Sequence, residues 1–363
     1  MKFNKKTIGM AVGVACAAMM TAPAQAFEFG AMGDASYSTS DDDAVSSAFA
    51  IGGLDLYARQ DIDPNTEAFI EYVFENDGEG FVLDLERMYV KRNINDSVRV
   101  GIGRMHSPLG YWNNTFHHGV IMQDTASRPS FLDFEDGEAA ILPTHVIGVT
   151  VEGQAGNLGY EVSLANSTFL DTTVAGPEIG IGNISDYSDD KTVFARLTYE
   201  VSGVNLGLSL MNNSIVEAAT AGAVAYGSLA QGEELIAQSV TGLDVRYKYD
   251  QLSLLAEYFM MTNDSQAGVG DSASHDATAY YVQASYQVND KFRPTVRYES
   301  LEADVATDAY FTILGRQEYT ANVVALRYDL DDSNALTFEY KATSPDGGTD
   351  VTEMTLDWSF LMF

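Results

Sequence analysis

Apolar and polar residues alternate along most of the chain, in stretches of about ten residues. Residues 191–200 read KTVFARLTYE, so that Val193, Leu197 and Tyr199 share one face and Arg196 lies on the other. Because the side chains of a strand point alternately to its two faces, this pattern predicts two-faced β-strands. Sixteen strands are predicted, near residues 28–38, 48–59, 66–75, 81–92, 97–104, 144–153, 157–167, 191–200, 203–211, 240–249, 251–261, 278–288, 291–302, 318–330, 334–343 and 351–363.

The connections between these strands alternate between short turns and longer loops. A sheet in lipid has to close on itself, because each unpaired backbone group there costs several kcal/mol. An even number of strands, with short turns on the periplasmic side and long loops outside, is typical of single-chain barrels of bacterial outer membranes. The pattern therefore predicts an all-β fold, a 16-stranded antiparallel transmembrane β-barrel. A soluble β-sandwich whose aromatic residues form an ordinary core is the alternative.

The first 26 residues have the features of a signal peptide. Three lysines precede an apolar, small-residue stretch over residues 8–22, and Ala24-Gln25-Ala26 matches an A-x-A cleavage site. Cys16, the one cysteine, lies in this segment. No later run of 18 apolar residues indicates a membrane-spanning helix, and no linker interrupts the strand pattern. Residues 27–363 are therefore predicted to form one barrel domain.

The charge of the chain excludes one class of partner. Without the three lysines of the signal segment, 17 basic residues remain against 52 acidic ones, a formal net charge of −35. A nucleic-acid-binding protein needs basic surfaces to neutralise phosphates, so no nucleic-acid partner is expected. The acidic residues are consistent with solvated outer loops, and also with loops that hold divalent cations or lipopolysaccharide-bound metal.

The longest loop, residues 105–143, begins with the sequence Gly-Arg-Met-His-Ser-Pro-Leu-Gly-Tyr over residues 103–111. In this motif and in strand number, the chain resembles the 16-stranded general or phosphate-selective-type porins of Gram-negative outer membranes. That resemblance implies that the third outer loop folds inward and constricts the barrel. It also implies a homotrimer in the cell outer membrane, in contact with outer-membrane lipid and lipopolysaccharide.

Eight basic residues fall on the face opposite the apolar stripe and are predicted to line the pore: Arg99, Arg196, Arg246, Lys248, Arg293, Arg297, Arg327 and Lys341. An Arg or Lys on the lipid face costs about 2–4 kcal/mol at mid-bilayer, so an inward position alone does not imply a function. Opposite an acidic loop, however, such a wall would produce a transverse field that filters ions. The inward acids Glu67, Glu71, Glu257 and Glu299 dilute the basic wall, so the sign of the ion preference stays open.

The candidate residues of the constriction loop are Arg104, His106, His117, His118, Asp124, Asp133, Glu135, Asp136 and Glu138. Three of the chain's five histidines are in this set, and His145 follows shortly after it. Histidines near carboxylates bind Zn²⁺ or Cu²⁺ in many proteins, but neither the spacing nor the adjacent pair His117-His118 matches a defined site. Packing and hydrogen bonding within the loop are the alternative, and the question of a metal stays open.

These observations favour a porin that gives passive, weakly selective diffusion of small hydrophilic solutes or ions. No catalytic group and no cofactor site is expected, because His275, near two aspartates, has no identifiable orienting partner. The alternative from a different class is a non-conducting barrel, either a sheath for an electron-transfer partner or a surface adhesin. The Ala-, Gly- and Ser-rich loops 212–239 and 262–277 favour the porin.

Overall fold

The computed structural model describes residues 27–76, 80–116, 119–135, 137, 139–219 and 229–362. The predicted signal peptide, residues 1–26, lies outside them. The described residues form one sheet of eighteen strands: β1 Phe27–Ser40, β2 Ala48–Asp63, β3 Thr66–Asn76, β4 Phe81–Asn95, β5 Val98–His106, β6 His145–Ala155, β7 Leu158–Asn166, β8 Thr168–Leu170, β9 Gly180–Ile181, β10 Lys191–Val201, β11 Val204–Glu217, β12 Glu234–Tyr249, β13 Leu252–Ser265, β14 Ser274–Tyr286, β15 Phe292–Ala303, β16 Tyr319–Asp331, β17 Asn334–Pro345 and β18 Val351–Met362.

Sixteen of these strands form a closed antiparallel wall. The first and last strands pair with each other, from Ala31 opposite Met362 to Ser40 opposite Glu353. Strand β7 pairs directly with β10, so the short strands β8 and β9 belong to the loop between them. The prediction of a 16-stranded antiparallel barrel is therefore confirmed, because closure leaves no wall strand without a partner on either side.

The two faces of the wall differ as the alternation predicts. On β18, Leu356 and Trp358 are 49% and 54% exposed on the outside, whereas Asp357 and Ser359 are 3% and 0% exposed on the inside. Apolar side chains cover the outer face and polar side chains the inner one, which is the arrangement that a bilayer around a polar interior requires.

Aromatic rings pack side by side on the outer face. The ring of Tyr280 lies 5.9 Å from that of Tyr258 and 6.0 Å from that of Tyr298, across β13, β14 and β15. Near the short-turn end, Phe292 and Tyr328 are 4.8 Å apart. Tyrosines at both ends of an apolar wall are typical of the aromatic belts at the two membrane–water interfaces.

Several wall strands extend beyond their predicted ends on the long-loop side. Strand β11 continues to Glu217 and β12 begins at Glu234, and backbone pairing there runs from Asn212 to Val216. The polar residues of this stretch end the apolar pattern, but the ladder itself uses only backbone groups, so it continues past the apolar belt.

The loops contain two short helices that the periodicity does not predict, α1 Trp112–Thr115 and α2 Ala309–Leu314. The third loop also contains two 3₁₀ turns, Val120–Met122 and Ser130–Leu132. Within the described residues, no helix combines the length and the apolar character needed to cross a membrane.

Candidate functional site

The third loop, residues 107–144 between β5 and β6, contacts the inner face of the wall. Glu257, near the middle of β13, accepts hydrogen bonds from the backbone N–H of Tyr111 at 2.6 Å and of Trp112 at 2.7 Å. The hydroxyl of Tyr281 donates a third bond to the same carboxylate, at 2.7 Å. A buried carboxylate is tolerated when several donors surround it, so this glutamate and the beginning of the third loop stabilise each other.

Two more wall glutamates repeat this contact farther along the loop. Glu339 on β17 accepts from the backbone N–H of Ala126 at 2.9 Å and of Ser127 at 3.2 Å. Glu299 on β15 accepts from the N–H of Ser130 at 2.8 Å. Glutamates on three alternate strands therefore bind backbone donors of the third loop.

Wall arginines bind the backbone acceptors of the same loop. Arg297 donates to the carbonyl oxygen of Ser127 at 3.0 Å. Arg327 donates to the carbonyl oxygens of Ile121 at 2.6 Å and Gln123 at 2.7 Å. The side chain of Arg297 is fully buried, and that of Arg327 is 9% exposed. Both guanidinium groups therefore face the loop.

Arg293 and Lys341, also predicted from their inward phase, contact loop side chains. Arg293 forms an ion pair with Asp124 at 2.6 Å. The Nζ of Lys341 donates to the Oγ of Ser130 at 2.6 Å. Four of the eight basic residues named from the sequence thus form hydrogen bonds or an ion pair with the third loop, and one of their partners is Asp124, a named acid of that loop.

Apolar side chains of the loop pack against aromatic residues of the wall. Trp112 and Phe131 are both 0% exposed. The ring of Trp112 lies 5.5 Å from that of Tyr281, and the ring of Phe131 lies 6.0 Å from that of Phe259. Burial of two large aromatic side chains stabilises the loop by several kcal/mol on an order-of-magnitude scale.

The end of the loop is covered by the segment around α2. The hydroxyl of Tyr310 donates to the carbonyl oxygen of Ile141 at 2.9 Å. Just after the helix, Arg316 Nε donates to the carbonyl oxygen of Ala140 at 2.8 Å. The beginning of the third loop and the residues Ala140 and Ile141 near its end are therefore both bound to the side of the barrel formed by β13 to β17.

Arg99 and Arg196, on other parts of the wall, pair with wall carboxylates. Arg99 lies 2.9 Å from Glu67. Arg196 lies 2.7 Å from Asp244 and is 9% exposed at its side chain. Both arginines line a further cavity together with Asn114 of the third loop.

Arg246 and Lys248 line a cavity of about 300 Å³ toward the short-turn end, together with Tyr111, Phe116 and Asp124 of the third loop. The guanidinium carbon of Arg246 lies 4.1 Å from the centre of the Tyr111 ring. These two wall cations and Asp124 thus line the same cavity.

His145 is the centre of a buried charged group. It is 1% exposed, with Nε2 at 2.9 Å from Glu86 and Nδ1 at 3.1 Å from Glu135 of the third loop. Arg104 approaches the same Nδ1 at 3.3 Å. The ring of His106 packs 5.7 Å from that of His145. These contacts bind the end of the loop to β4, β5 and β6.

Arg104 departs from the predicted alternation of β5, and it follows an unusual glycine, Gly103. Strict alternation predicts that Arg104 lies on the same face as Ile102, which is 63% exposed on the outside. The Nε of Arg104 instead donates a hydrogen bond to the carbonyl oxygen of Glu86 at 2.7 Å. Gly103 has φ +141°, and a Cβ there would lie 2.1 Å from the carbonyl oxygen of Met88. A side chain at this position would collide with the backbone of β4, so the close approach of the two strands requires glycine.

The charge state of Glu135 follows from these neighbours. Burial raises the pKa of a carboxyl group, but His145 and Arg104 favour the charged form more strongly. The pKa of Glu135 consequently lies below its ordinary value of 4.5. The loop carboxylate therefore remains ionised and paired at neutral pH.

The remaining candidates of the loop are not all described. Asp133 accepts a hydrogen bond from the backbone N–H of Phe134 at 3.1 Å and lines a cavity. His117, His118, Asp136 and Glu138 lie outside the described residues.

Two cavities lie beside the third loop. The outer cavity, of about 460 Å³, is lined by Glu75, Asp84, Glu86, Glu135, Asp171, Glu178, Arg104 and His145, among others. The inner cavity, of about 380 Å³, is lined by Asp34, Glu75, Gln123, Arg128, Asp133 and Lys341, among others. Asp34 and Glu75 belong to β1 and β3, so these spaces lie on the side of the barrel opposite β13.

Three carboxylates of the outer cavity come close together. Oxygen atoms of Glu75, Asp84 and Glu86 lie within 4.8 Å of one another. Among the described residues, this group offers a metal ion at least three carboxylate oxygens. Among the histidines that the structure describes, His145 contacts this group through Glu86.

Sequence reasoning did not select Glu75, Asp84, Glu86 or Glu339. The alternation of their strands places Glu75 and Glu339 on the inward face, and this could have identified them. Glu86 is different, because it is the extra residue of a bulge at which the pairing of β3 with β4 shifts register after Glu71. A bulge reverses the phase of the residues beyond it, and nothing in the sequence marks its position.

The sequence matches no protein-family model and no curated protein. Three solved structures are similar in fold. The anion-selective porin of Comamonas acidovorans has a TM-score of 0.63 at 12% identity, over 93% of this chain and 100% of that one. The outer-membrane channel DcaP of Acinetobacter baumannii has 0.63 at 13%, over 93% and 97%. The trimer form of OmpT, an outer-membrane protein of Vibrio cholerae, has 0.59 at 9%, over 93% and 100%.

Sequence identities this low support a shared architecture, but they do not show that this chain has the ion selectivity of any one of these proteins. The similarity nevertheless extends over nearly all of this chain and of each matched chain. It agrees with the closed sheet, the apolar outer face and the sixteen wall strands. The chain has the fold of the 16-stranded porins of Gram-negative outer membranes.

Proposed function

We propose that this protein is a porin that allows small hydrophilic solutes and ions to diffuse passively across the outer membrane of a Gram-negative bacterium. One observation carries the proposal: the beginning and the middle of the third loop are bound to the side of the barrel formed by β13, β15 and β17, while cavities remain between the loop and the wall around β3 and β4. A loop bound to one side narrows a polar barrel and leaves a passage beside it. The fold that this chain shares with porins and channels supports the same function.

The outer surface supports the location. A continuous apolar face with aromatic residues toward both ends suits contact with outer-membrane lipid, and the long acidic loops suit contact with lipopolysaccharide through bridging cations. We also propose that the protein forms a homotrimer; the trimer form of Vibrio cholerae OmpT, which has a similar fold, supports this.

The mechanism requires no catalytic step and no cofactor. Solutes move through water beside the third loop, and the residues of the loop and the facing wall set the width and the charge of the passage. The extended pairing of β11 and β12 and the contacts of α2 hold the long-loop end in place, so that the passage keeps its dimensions while solutes cross it.

Single-channel recording of the refolded protein in a planar bilayer tests the proposal. We expect steady current steps, in groups of three for a trimer. A variant in which a short Gly-Ser segment replaces residues 111–134 should give larger steps, because the segment that narrows the barrel is gone. The matched control is a variant with the same kind of replacement in the exposed loop at residues 42–46, whose steps should keep the wild-type size.

The opposing result is a correctly inserted protein that gives no steps, with none in the loop-replacement variant either. Insertion is checked independently by the β-sheet circular dichroism spectrum and by resistance of the barrel to protease. That outcome would contradict the porin and leave a non-conducting sheath or adhesin as the function.

A further inference from the structure

Four wall cations beside the third loop are bound to the loop itself. Arg297 and Arg327 bind backbone carbonyl groups of the loop and are almost fully buried. Arg293 is paired with Asp124, and Lys341 with Ser130. A cation held against carbonyl and carboxylate oxygens contributes little to the potential in the open water beside it.

The lower part of the opposite wall is close to neutral. Arg87 pairs with Glu71 at 2.5 Å, and Lys91 pairs with Glu152 at 2.7 Å. Arg59 and Arg99 share Glu67, at 2.6 and 2.9 Å. Asp55 and Glu161 are further acids of the same wall region, within the electrostatic reach of Arg87 and Lys91. Basic and acidic residues thus offset each other along this part of the wall.

The outer cavity departs from this balance. Six carboxylates line it, against one arginine and one histidine, so its formal charge is strongly negative whatever the protonation state of His145. The inner cavity is lined by three acids, Asp34, Glu75 and Asp133, against the two basic residues Arg128 and Lys341. The excess of negative charge is therefore concentrated at the long-loop mouth of the passage.

We propose that the pore is cation-selective and that Glu75 and Asp84, in the outer cavity, are the residues that determine this preference. The inference rests on the proposed function and deepens it by naming the class of solute. A mouth lined by one sign of charge between walls of low dielectric constant concentrates counter-ions, and rings of acidic side chains have this role in cation channels.

Glu75 and Asp84 are suited to this role because of their exposure. Asp84 is exposed and Glu75 is half-buried, whereas Glu86 is buried against His145. Glu86 and Glu135 mainly hold the end of the third loop. The two more exposed carboxylates can be changed without removing those contacts.

The test is the reversal potential of the channel under a tenfold KCl gradient. We expect the wild-type channel to prefer K⁺ over Cl⁻, and the preference to weaken as total salt rises, because counter-ions screen the carboxylates. The double variant Glu75→Gln/Asp84→Asn should lower the K⁺/Cl⁻ permeability ratio by about threefold or more. The control, Asp43→Asn/Asp350→Asn, removes the same charge from exposed loop positions that line neither cavity and should keep the wild-type ratio.

Two results would overturn the inference: a wild-type channel that prefers Cl⁻ or neither ion, or an equal change in the double variant and its control. Current steps of normal size in the variant show that it has folded and inserted. Absence of steps in the wild type would contradict the porin itself, so failure of the proposed function and failure of the selectivity give different results.

Discussion

Glu257 and Trp112 are 145 residues apart in sequence, yet the carboxylate of the first accepts a hydrogen bond from the backbone N–H of the second at 2.7 Å. The contact joins the middle of a wall strand to the first turn of the third loop. Because this glutamate binds backbone N–H groups, the contact fixes the course of the loop backbone. The side chains of the loop make further contacts with the wall.

Loss of the Glu257 carboxylate should loosen this loop. In Glu257→Gln, the amide retains one acceptor for the N–H groups of Tyr111 and Trp112 and for the Tyr281 hydroxyl, and its NH₂ faces donors. We expect a loss of about 1–3 kcal/mol in the stability of the docked loop, seen as larger fluctuations of the single-channel current. Glu353→Gln, a change of an exposed glutamate near the end of the wall, is the control. Equal current noise in both variants would contradict the role of Glu257.

The two tryptophans of the chain should respond differently to the bilayer. Trp358 is 54% exposed on the outer face, whereas Trp112 is fully buried inside. In vesicles of brominated lipid, the fluorescence of Trp112→Phe, which retains Trp358, should be strongly quenched. The fluorescence of Trp358→Phe, which retains Trp112, should be nearly unchanged. Similar quenching in both variants would show that the faces of β18 or the site of the loop are assigned wrongly.

Acid should weaken the end of the third loop through Glu135. A carboxyl group whose pKa is lowered on folding stabilises the folded state above its unfolded pKa, and this stabilisation is lost as the pH falls through the folded pKa. For Glu135 the loss is therefore expected below about pH 4.5. Current fluctuations should increase on acidification in the wild type, and the increase should be smaller in Glu135→Gln, which is already loosened at neutral pH. An identical acid response in the two proteins would exclude this carboxylate as the cause.

Cysteine labelling should establish the orientation of the barrel. The chain has a single cysteine, inside the predicted signal peptide, so an introduced cysteine is unique in the processed protein. A membrane-impermeant maleimide should label Asp350→Cys, in a long-loop connection, on intact cells. It should label Ser333→Cys, in the turn between β16 and β17, only after the outer membrane is permeabilised. The reverse labelling pattern would show that the barrel has the opposite orientation in the membrane.

The sequence predicts the wall strands well because the two faces of such a strand are in different environments, lipid on the outside and the polar interior of the barrel on the inside. Leu356 and Trp358 have to differ from Asp357 and Ser359, and this difference appears directly in the residue order. The alternation of apolar and polar residues ends at the edge of the apolar belt. The continuation of β11 to Glu217 could therefore not be predicted from it.

The contacts of the third loop are less predictable for a different physical reason. The alternation predicts that the side chains of Glu257 and Glu299 point inward, but it does not predict which groups they contact there. The loop has no periodicity, and its contacts join residues more than 100 positions apart. Glu86 was missed because a bulge changes the phase of β4.

The first 3₁₀ turn of the loop lies at the seam where the barrel closes: Ile121 packs with Met32 of β1 and Ala335 of β17. The three glutamates that bind the loop backbone, Glu257, Glu299 and Glu339, all belong to strands that follow the loop in the chain. The loop therefore acquires its binding site only after the second half of the wall has assembled. Seating of the loop and joining of the first strand to the last belong to the same late stage of folding, so damage to the loop's contacts is also expected to slow the final step by which the protein matures in the membrane.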